Sequence, residues 1–259
     1  MSNIITNPYM VSPSGSGFDL TGLKAYYKFD NDPATGNLIN QATSIGSSDS
    51  NGADLSNSYV TSATGIIDLG YDYDASDGQS ADTGGAGTDW EFMYNTSSGV
   101  FSFVGWLKPN TTSFTNNRVI WDMADIANKN GCGLGTYNAT SKPKLFFYLS
   151  KPLNVDDEWF YSPDSSYPNT TDWRMIYVSF DASAQEVKFS INDGSVTTLS
   201  STITGISGVS ADPMLFGSGR QPTPIYEIDS ICDEWSFWNR VLSSAELTTL
   251  YNSGSGFAL

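Results

Sequence analysis

The run GLKAYYKFD (22–30) alternates Leu23, Ala25, Tyr27 and Phe29 against Lys24, Tyr26 and Lys28. A period of two sends successive side chains to opposite faces of a strand, so this segment predicts a half-buried strand. The same signal recurs along the chain and constrains the fold more than any other feature. SGVFSFVGWLKP (98–109) sets Val100, Ser102, Val104 and Trp106 opposite Phe101, Phe103, Gly105 and Leu107. Both of its faces are apolar, which predicts a strand in the middle of a sheet. RVIWDM (118–123), KLFFYLS (144–150), PMLFGSG (213–219) and ICDEWSFWNRVL (231–242) predict further strands. WRMIYVSFDASAQEVKFSINDG (173–194) reads as two strands around an Asp-Ala-Ser turn, with Asn192-Asp193-Gly194 as a second hairpin turn. One helix is signalled. Ser243 stands at its N-cap, Glu246 three residues on, Leu247, Leu250 and Tyr251 follow at helical spacing, and Gly254 stops it. Many short strands with turns and one short helix predict an all-β sandwich or barrel. A chain of 259 residues is an ordinary length for one such domain.

The polar stretch 41–97 is enlarged and not explained by the strand motifs, and its first part, 41–58, reads as loop. GCGLG (131–135) and GSG (217–219) do not lead into a helix with Lys and Ser/Thr, so they read as turns or close-packed strand ends and not as phosphate cradles. Acidic residues number 28 against 12 basic, a net charge of −16, and no basic stripe is present. That excludes nucleic acid and anionic membrane surfaces as expected partners. Histidine is absent, which removes His-based triads, imidazole bases and most zinc sites. Cys132 and Cys232 allow one disulfide or, the reading taken here, two buried free thiols. The segment MSNIITNPYMVSPSGSG has neither a basic n-region nor an apolar h-region, so no secretory signal is expected, and no run approaches spanning length.

EIDSICDEW (227–235) gathers Glu227, Asp229, Asp233 and Glu234. Clustered carboxylates serve retaining glycosidases and calcium sites alike. Strict alternation would put Asp233 on one face with Trp235 and Phe237, at the rim of the core. A carboxylate there must accept backbone N–H groups at a strand corner or bind a cation. DDE (156–158) reads as a solvated loop.

Five segments in order resemble laminin-G-like, concanavalin A-like jelly-roll domains: GLKAYYKFDND, GVFSFVGWLKP, WRMIYVSFD with VKFSINDG, PMLFGSG, and CDEWSFWNRVLSSAELTTLY. The resemblance covers residues 22–251 and implies a two-sheet antiparallel jelly-roll sandwich with one short helix near the C-terminus. It implies a structural calcium shared by Asp233 and the Asp30 turn, with Asp32 beside it and backbone carbonyls completing it. Laminarinase-type relatives carry E-x-D-x-x-E or E-x-D-x-x-x-E on a central strand. Here Glu227 and Asp229 begin that pattern, but Cys232 or Asp233 stands where its last Glu belongs, and catalysis is not expected.

The chain therefore divides into an arm (1–18), a jelly-roll domain (19–252) and a tail (253–259). SGSGFDL (14–20) and SGSGFAL (253–259) echo each other. Ile4, Ile5, Tyr9, Phe18, Phe257 and Leu259 are the candidate assembly residues, docking on other subunits in a homo-oligomer or larger shell. The expected function is that of a non-enzymatic surface or assembly protein, such as a virion decoration, head-fibre or tail protein, with glycans as further partners. A carbohydrate-binding lectin-like module is the alternative, and a glycoside hydrolase the least favoured.

Overall fold

The protein is described by a computed structural model over residues 18–34, 36–58, 60–75, 80–82, 87–93, 99–112, 117–123, 131–137, 143–150, 157–163, 167, 170–203, 214–219 and 226–259. Ile4, Ile5 and Tyr9 lie outside these residues.

In chain order the strands are β1 (Leu23–Tyr27), β2 (Ser56–Ser58), β3 (Thr61–Thr64), β4 (Leu69–Tyr73), β5 (Ser80–Asp82), β6 (Val100–Pro109), β7 (Arg118–Asp122), β8 (Gly131–Tyr137), β9 (Lys144–Ser150), β10 (Glu158–Tyr161), β11 (Arg174–Asp181), β12 (Glu186–Ile191), β13 (Thr197–Ser200), β14 (Leu215–Phe216) and β15 (Ser230–Trp238). A helix, α1 (Ser244–Tyr251), follows. The first sheet runs β13-β12-β11-β6-β15-β4-β3, with β1 also paired to β15. The second runs β10-β9-β8-β7-β14-β5-β2. The ladders within both sheets are antiparallel, so the chain is the two-sheet sandwich that the alternation predicts.

Inward side chains of the two sheets meet in an aromatic core. Phe103 and Phe237 lie 4.9 Å apart, Phe216 and Trp235 4.8 Å, and Phe103 and Trp121 5.8 Å between ring centroids. Most of these pairs are tilted or edge-to-face, the arrangement the ring quadrupole favours. Cys132 and Cys232 are buried in this core as free thiols.

A second cluster lies on the outer face of the first sheet. Tyr26, Val104, Trp106, Tyr177 and Trp238 pack there under Leu247 and Leu250 of α1. The helix begins as its sequence requires: Ser243 Oγ accepts from Glu246 N–H, and the Glu246 carboxylate accepts from Ser243 N–H at 2.8 Å. It ends at Asn252, left-handed with φ 46°, two residues before the glycine expected to stop it. The αL position tolerates Asn, and the glycine then serves the turn that follows.

Strict alternation fails on β15. Asp233 pairs with Trp106 and Ser236 with Val104, so two residues, Glu234 and Trp235, stand opposite Gly105. Glu234 takes up the extra residue with φ 52°. This β-bulge reverses the parity of the strand. Cys232, Trp235 and Phe237 all face the inter-sheet core, while Trp238 faces the outer cluster. The expectation that Asp233 shares a face with Trp235 and Phe237 is therefore corrected: Asp233 and Glu234 lie side by side on the outer face. The loop reading of 41–58 is also corrected at its end, where β2 forms, and β3 to β5 follow within the stretch that the motifs left unexplained.

Candidate functional site

Two places concentrate side chains that packing does not need. The first is the outer face of the second sheet. On β9, Leu145, Phe147 and Leu149 enter the core, which turns Lys144, Phe146 and Tyr148 outward. On β10, Phe160 enters the core, which turns Trp159 and Tyr161 outward. On β8, Cys132 and Leu134 enter the core, which leaves Gly133 and Gly135 on the outer face. Register aligns these positions: Trp159 and Gly133 flank Tyr148, and Tyr161 and Gly135 flank Phe146.

The glycines give the rings room to lie down. A Cβ on Gly133 would collide with the Tyr148 ring, and one on Gly135 with the Phe146 ring and the Arg118 carbonyl. GCGLG is thus a strand whose alternate residues seat aromatic rings. Trp159 stacks on Tyr148 with centroids 4.9 Å apart and planes at 26°, and it approaches Phe146 at 5.3 Å. Phe146 is nearly covered at 2% exposure, whereas Trp159 is 46% and Tyr161 36% exposed. The result is a supported aromatic shelf that opens to solvent.

Polar groups bound the shelf. Tyr148 donates its hydroxyl to Asp122 Oδ1 at 2.6 Å. Burial, and then the Asp122 charge, push the Tyr148 hydroxyl far above its usual pKa, so it stays a donor at neutral pH. At the other end the Lys144 ammonium lies 5.0 Å from the Tyr161 ring centroid and 5.5 Å from that of Tyr137. The buried Asp122 carboxylate and the Tyr148 hydroxyl it holds brace the rings from beneath, while an apolar ring surface with the Lys144 ammonium at one end suits a ligand with one apolar face and polar groups at its edge.

The second place is the acidic stretch. Its members are split between the sheets. Glu227 bridges to Val119 of β7 in the second sheet and is buried, while Asp233 and Glu234 belong to β15 in the first. Asp229 accepts at its backbone carbonyl from Asn110 N–H at 3.1 Å. Glu158, the last residue of DDE, begins β10 and accepts from Ser201 and Thr202.

At the bulge, Asp233 is fully buried and its Oδ2 accepts from Ile66 N–H at 2.8 Å and Ile67 N–H at 3.0 Å. Its Oδ1 has no hydrogen-bond partner. The 65–69 turn folds around it: a Cβ on Gly65 would collide with Asp233 Oδ2 and the Leu69 carbonyl and meet the Ile67 carbonyl at 2.7 Å. Asp30 Oδ1 accepts from Leu69 N–H at 3.3 Å and so touches the same turn. Asp32 instead accepts from Ala34 N–H in its own Asx turn. Burial raises the Asp30 carboxyl and pushes those of Asp233 and Glu234 above the usual carboxylate range. Among the described residues no three His, Cys, Asp or Glu side chains form a ligand group. Of the ligand set that the resemblance implies, Asp233 brings one free oxygen, Oδ1, while the carbonyls around Gly65 gather at Oδ2, which the N–H groups of Ile66 and Ile67 already satisfy.

Of the remaining expected positions, Phe18 lies 5.8 Å from Trp238 and 6.0 Å from Phe257 between ring centroids. Leu259 joins them against the chain's own outer cluster.

No family model matches the chain, and no curated protein matches it. Solved structures do. The binding domain of botulinum neurotoxin DC in complex with SialylT is similar with a TM-score of 0.61 and 16% identity. The same domain in complex with rat synaptotagmin II gives 0.63 and 16%. The binding domain of Paraclostridial Mosquitocidal Protein 1 gives 0.64 and 13%. In each case the match covers 90% of this chain and 52% of the other. The chain therefore spans about half the length of these structures, and the likeness at this identity is one of fold.

Proposed function

We propose that this chain is a non-enzymatic glycan-binding module and that the shelf on the second sheet is its binding face. The observation that carries the reading is Trp159, half exposed yet stacked on Tyr148 and held in place by glycines beneath. A large aromatic ring left in water at a fixed orientation is poised to stack on a sugar ring, whose C–H face is apolar and whose hydroxyls stay at its edge. The similar binding domains support the reading at the level of fold, one being solved with SialylT. The absence of an enzymatic role is supported by the division of the acidic stretch. A retaining pair needs two carboxyl groups about 5–5.5 Å apart across the scissile bond. Glu227 and Asp233 sit in different sheets.

A particle-surface setting, as in a virion, stays our proposal for the arm and its Ile4, Ile5 and Tyr9, and rests on the sequence alone. Affinity electrophoresis tests the binding reading. Gels containing β-glucan, agarose, carrageenan or a sialylated polymer should retard the full chain in at least one case, without release of reducing ends. Retardation by none, or turnover abolished by Glu227→Gln, would overturn it.

A further inference from the structure

The shelf carries a second exposed ring. Tyr161 stands two residues beyond Trp159 on β10, and both point outward because Phe160 between them enters the core. Two strand residues advance the chain by about 6.6 Å, roughly the length of one sugar unit in an extended glycan chain. β10 ends the order of its sheet, so both rings stand along the sheet's edge. Each ring is held still by different neighbours. Trp159 lies against Tyr148. Tyr161 meets the Tyr137 ring edge-on, with centroids 5.2 Å apart and planes at 63°, and has the Lys144 ammonium 5.0 Å from its own centroid. Tyr137 belongs to β8 and Lys144 to β9, so side chains from two further strands fix a ring that stays 36% exposed. A ring already ordered by its neighbours loses little freedom when a ligand settles on it.

Charge limits what can lie along these rings. Asp157, exposed, and Glu158 lead into Trp159. Burial raises the Glu158 carboxyl, but hydrogen bonds from Ser201 and Thr202 outweigh this and hold it below its ordinary value, so it is charged at neutral pH. With a net charge of −16 on the whole chain, an acidic polymer would approach a surface of its own sign.

We propose that Trp159 and Tyr161 are two consecutive stacking positions, and that the ligand is an uncharged polysaccharide taken as a stretch of at least two adjacent sugars along β10. The inference rests on the glycan-binding reading and goes beyond it, since a single ring would serve a single terminal sugar equally well. Tyr161 is then the residue that selects a chain over a monosaccharide.

The test uses the full chain. Affinity gels compare β-glucan and agarose, which are uncharged, with carrageenan and a sialylated polymer, which are not. Retardation by an uncharged polymer is expected. Retardation by the acidic polymers alone would overturn the inference and leave the glycan reading standing, whereas retardation by none would overturn the reading beneath it. The monosaccharide and the disaccharide of the retarding polymer are then titrated as competitors. The disaccharide should compete at concentrations at least fivefold lower, the worth of one added ring contact. A monosaccharide within twofold of the disaccharide, the factor expected from sugar count alone, would overturn the inference. Tyr161→Ala should weaken the disaccharide about fivefold and leave the monosaccharide within twofold. Tyr161→Phe keeps the ring and should bind as the native chain does. A Tyr161→Ala variant that retains the native preference for the disaccharide would overturn the role of Tyr161. The comparison of the two sugars on the native chain decides the matter even where a variant fails to fold.

Discussion

At the scale of single residues, the shelf turns on Trp159 and on the glycines opposite it. Trp159→Ala removes a half-exposed ring and its stack on Tyr148 but leaves the inter-sheet core intact, so the melting temperature should fall by only a few degrees, about 2–4 °C. Glycan affinity should fall by about fivefold, the worth of one aromatic contact of roughly 1 kcal/mol. Gly135→Ala should act in the opposite way. Its Cβ meets the Arg118 carbonyl and the Phe146 ring, neither of which can yield freely. Denaturant unfolding should show a loss of about 1–3 kcal/mol, the ordinary cost of overpacking. These residues were legible only in part. The alternation in KLFFYLS implies an outward Phe146 and Tyr148 as readily as a second buried face. Deciding between them takes β10 and β8 as partners, and pairing is not written in either segment. GCGLG carried the signal, since glycines at alternate positions make a strand with one bare face. Read alone, the same residues look like a turn.

At the scale of elements, α1 was plain from its caps and the bulge on β15 was invisible. A capping box is local: four residues carry it, and Ser243 and Glu246 form it as their spacing predicts. Burial raises the Glu246 carboxyl, but hydrogen bonds from Arg240 and Ser243 outweigh this and hold its pKa below 4.5. A lowered folded-state pKa gives stability that is complete above the unfolded value and is lost as pH falls through the folded one. Glu246→Gln should therefore melt lower than the native chain at pH 7, and the gap should narrow as pH falls below 4.5 and through the lowered folded-state pKa. Ser243→Ala should cost about 1 kcal/mol at pH 7 and less once Glu246 is protonated, because the Ser243 hydroxyl also donates to that carboxylate. A β-bulge, in contrast, depends on the strands either side. Nothing in CDEWSFW distinguishes strict alternation from one extra residue at Glu234, and the two differ in which face receives Asp233. The fold survived this ambiguity because Trp235, Phe237 and Trp238 are apolar on both sides.

At the scale of the whole molecule, alternation and turn spacing determine the sandwich, while the place of the shelf follows only from sheet order. The outer cluster also absorbs segments that looked separable. Phe18, Phe257 and Leu259 pack against Trp238 and its neighbours, so the tail adds to the domain's own packing. A net charge of −16 sets how ligands approach. Stacking on the shelf is short-ranged, and a neutral glycan should bind with nearly the same affinity at 0.05 and 0.5 M salt, where the Debye length shrinks several-fold. A ligand whose affinity collapses with salt would point to Lys144 in place of the rings. The central claim is that the ordered, exposed ring of Trp159 marks the binding face. Parallel glycan-array profiles of the full native chain and of Trp159→Ala test it most directly. The account requires a defined set of glycans retained by the native chain and lost by the variant. An empty native profile, or one that the variant reproduces unchanged, would contradict it.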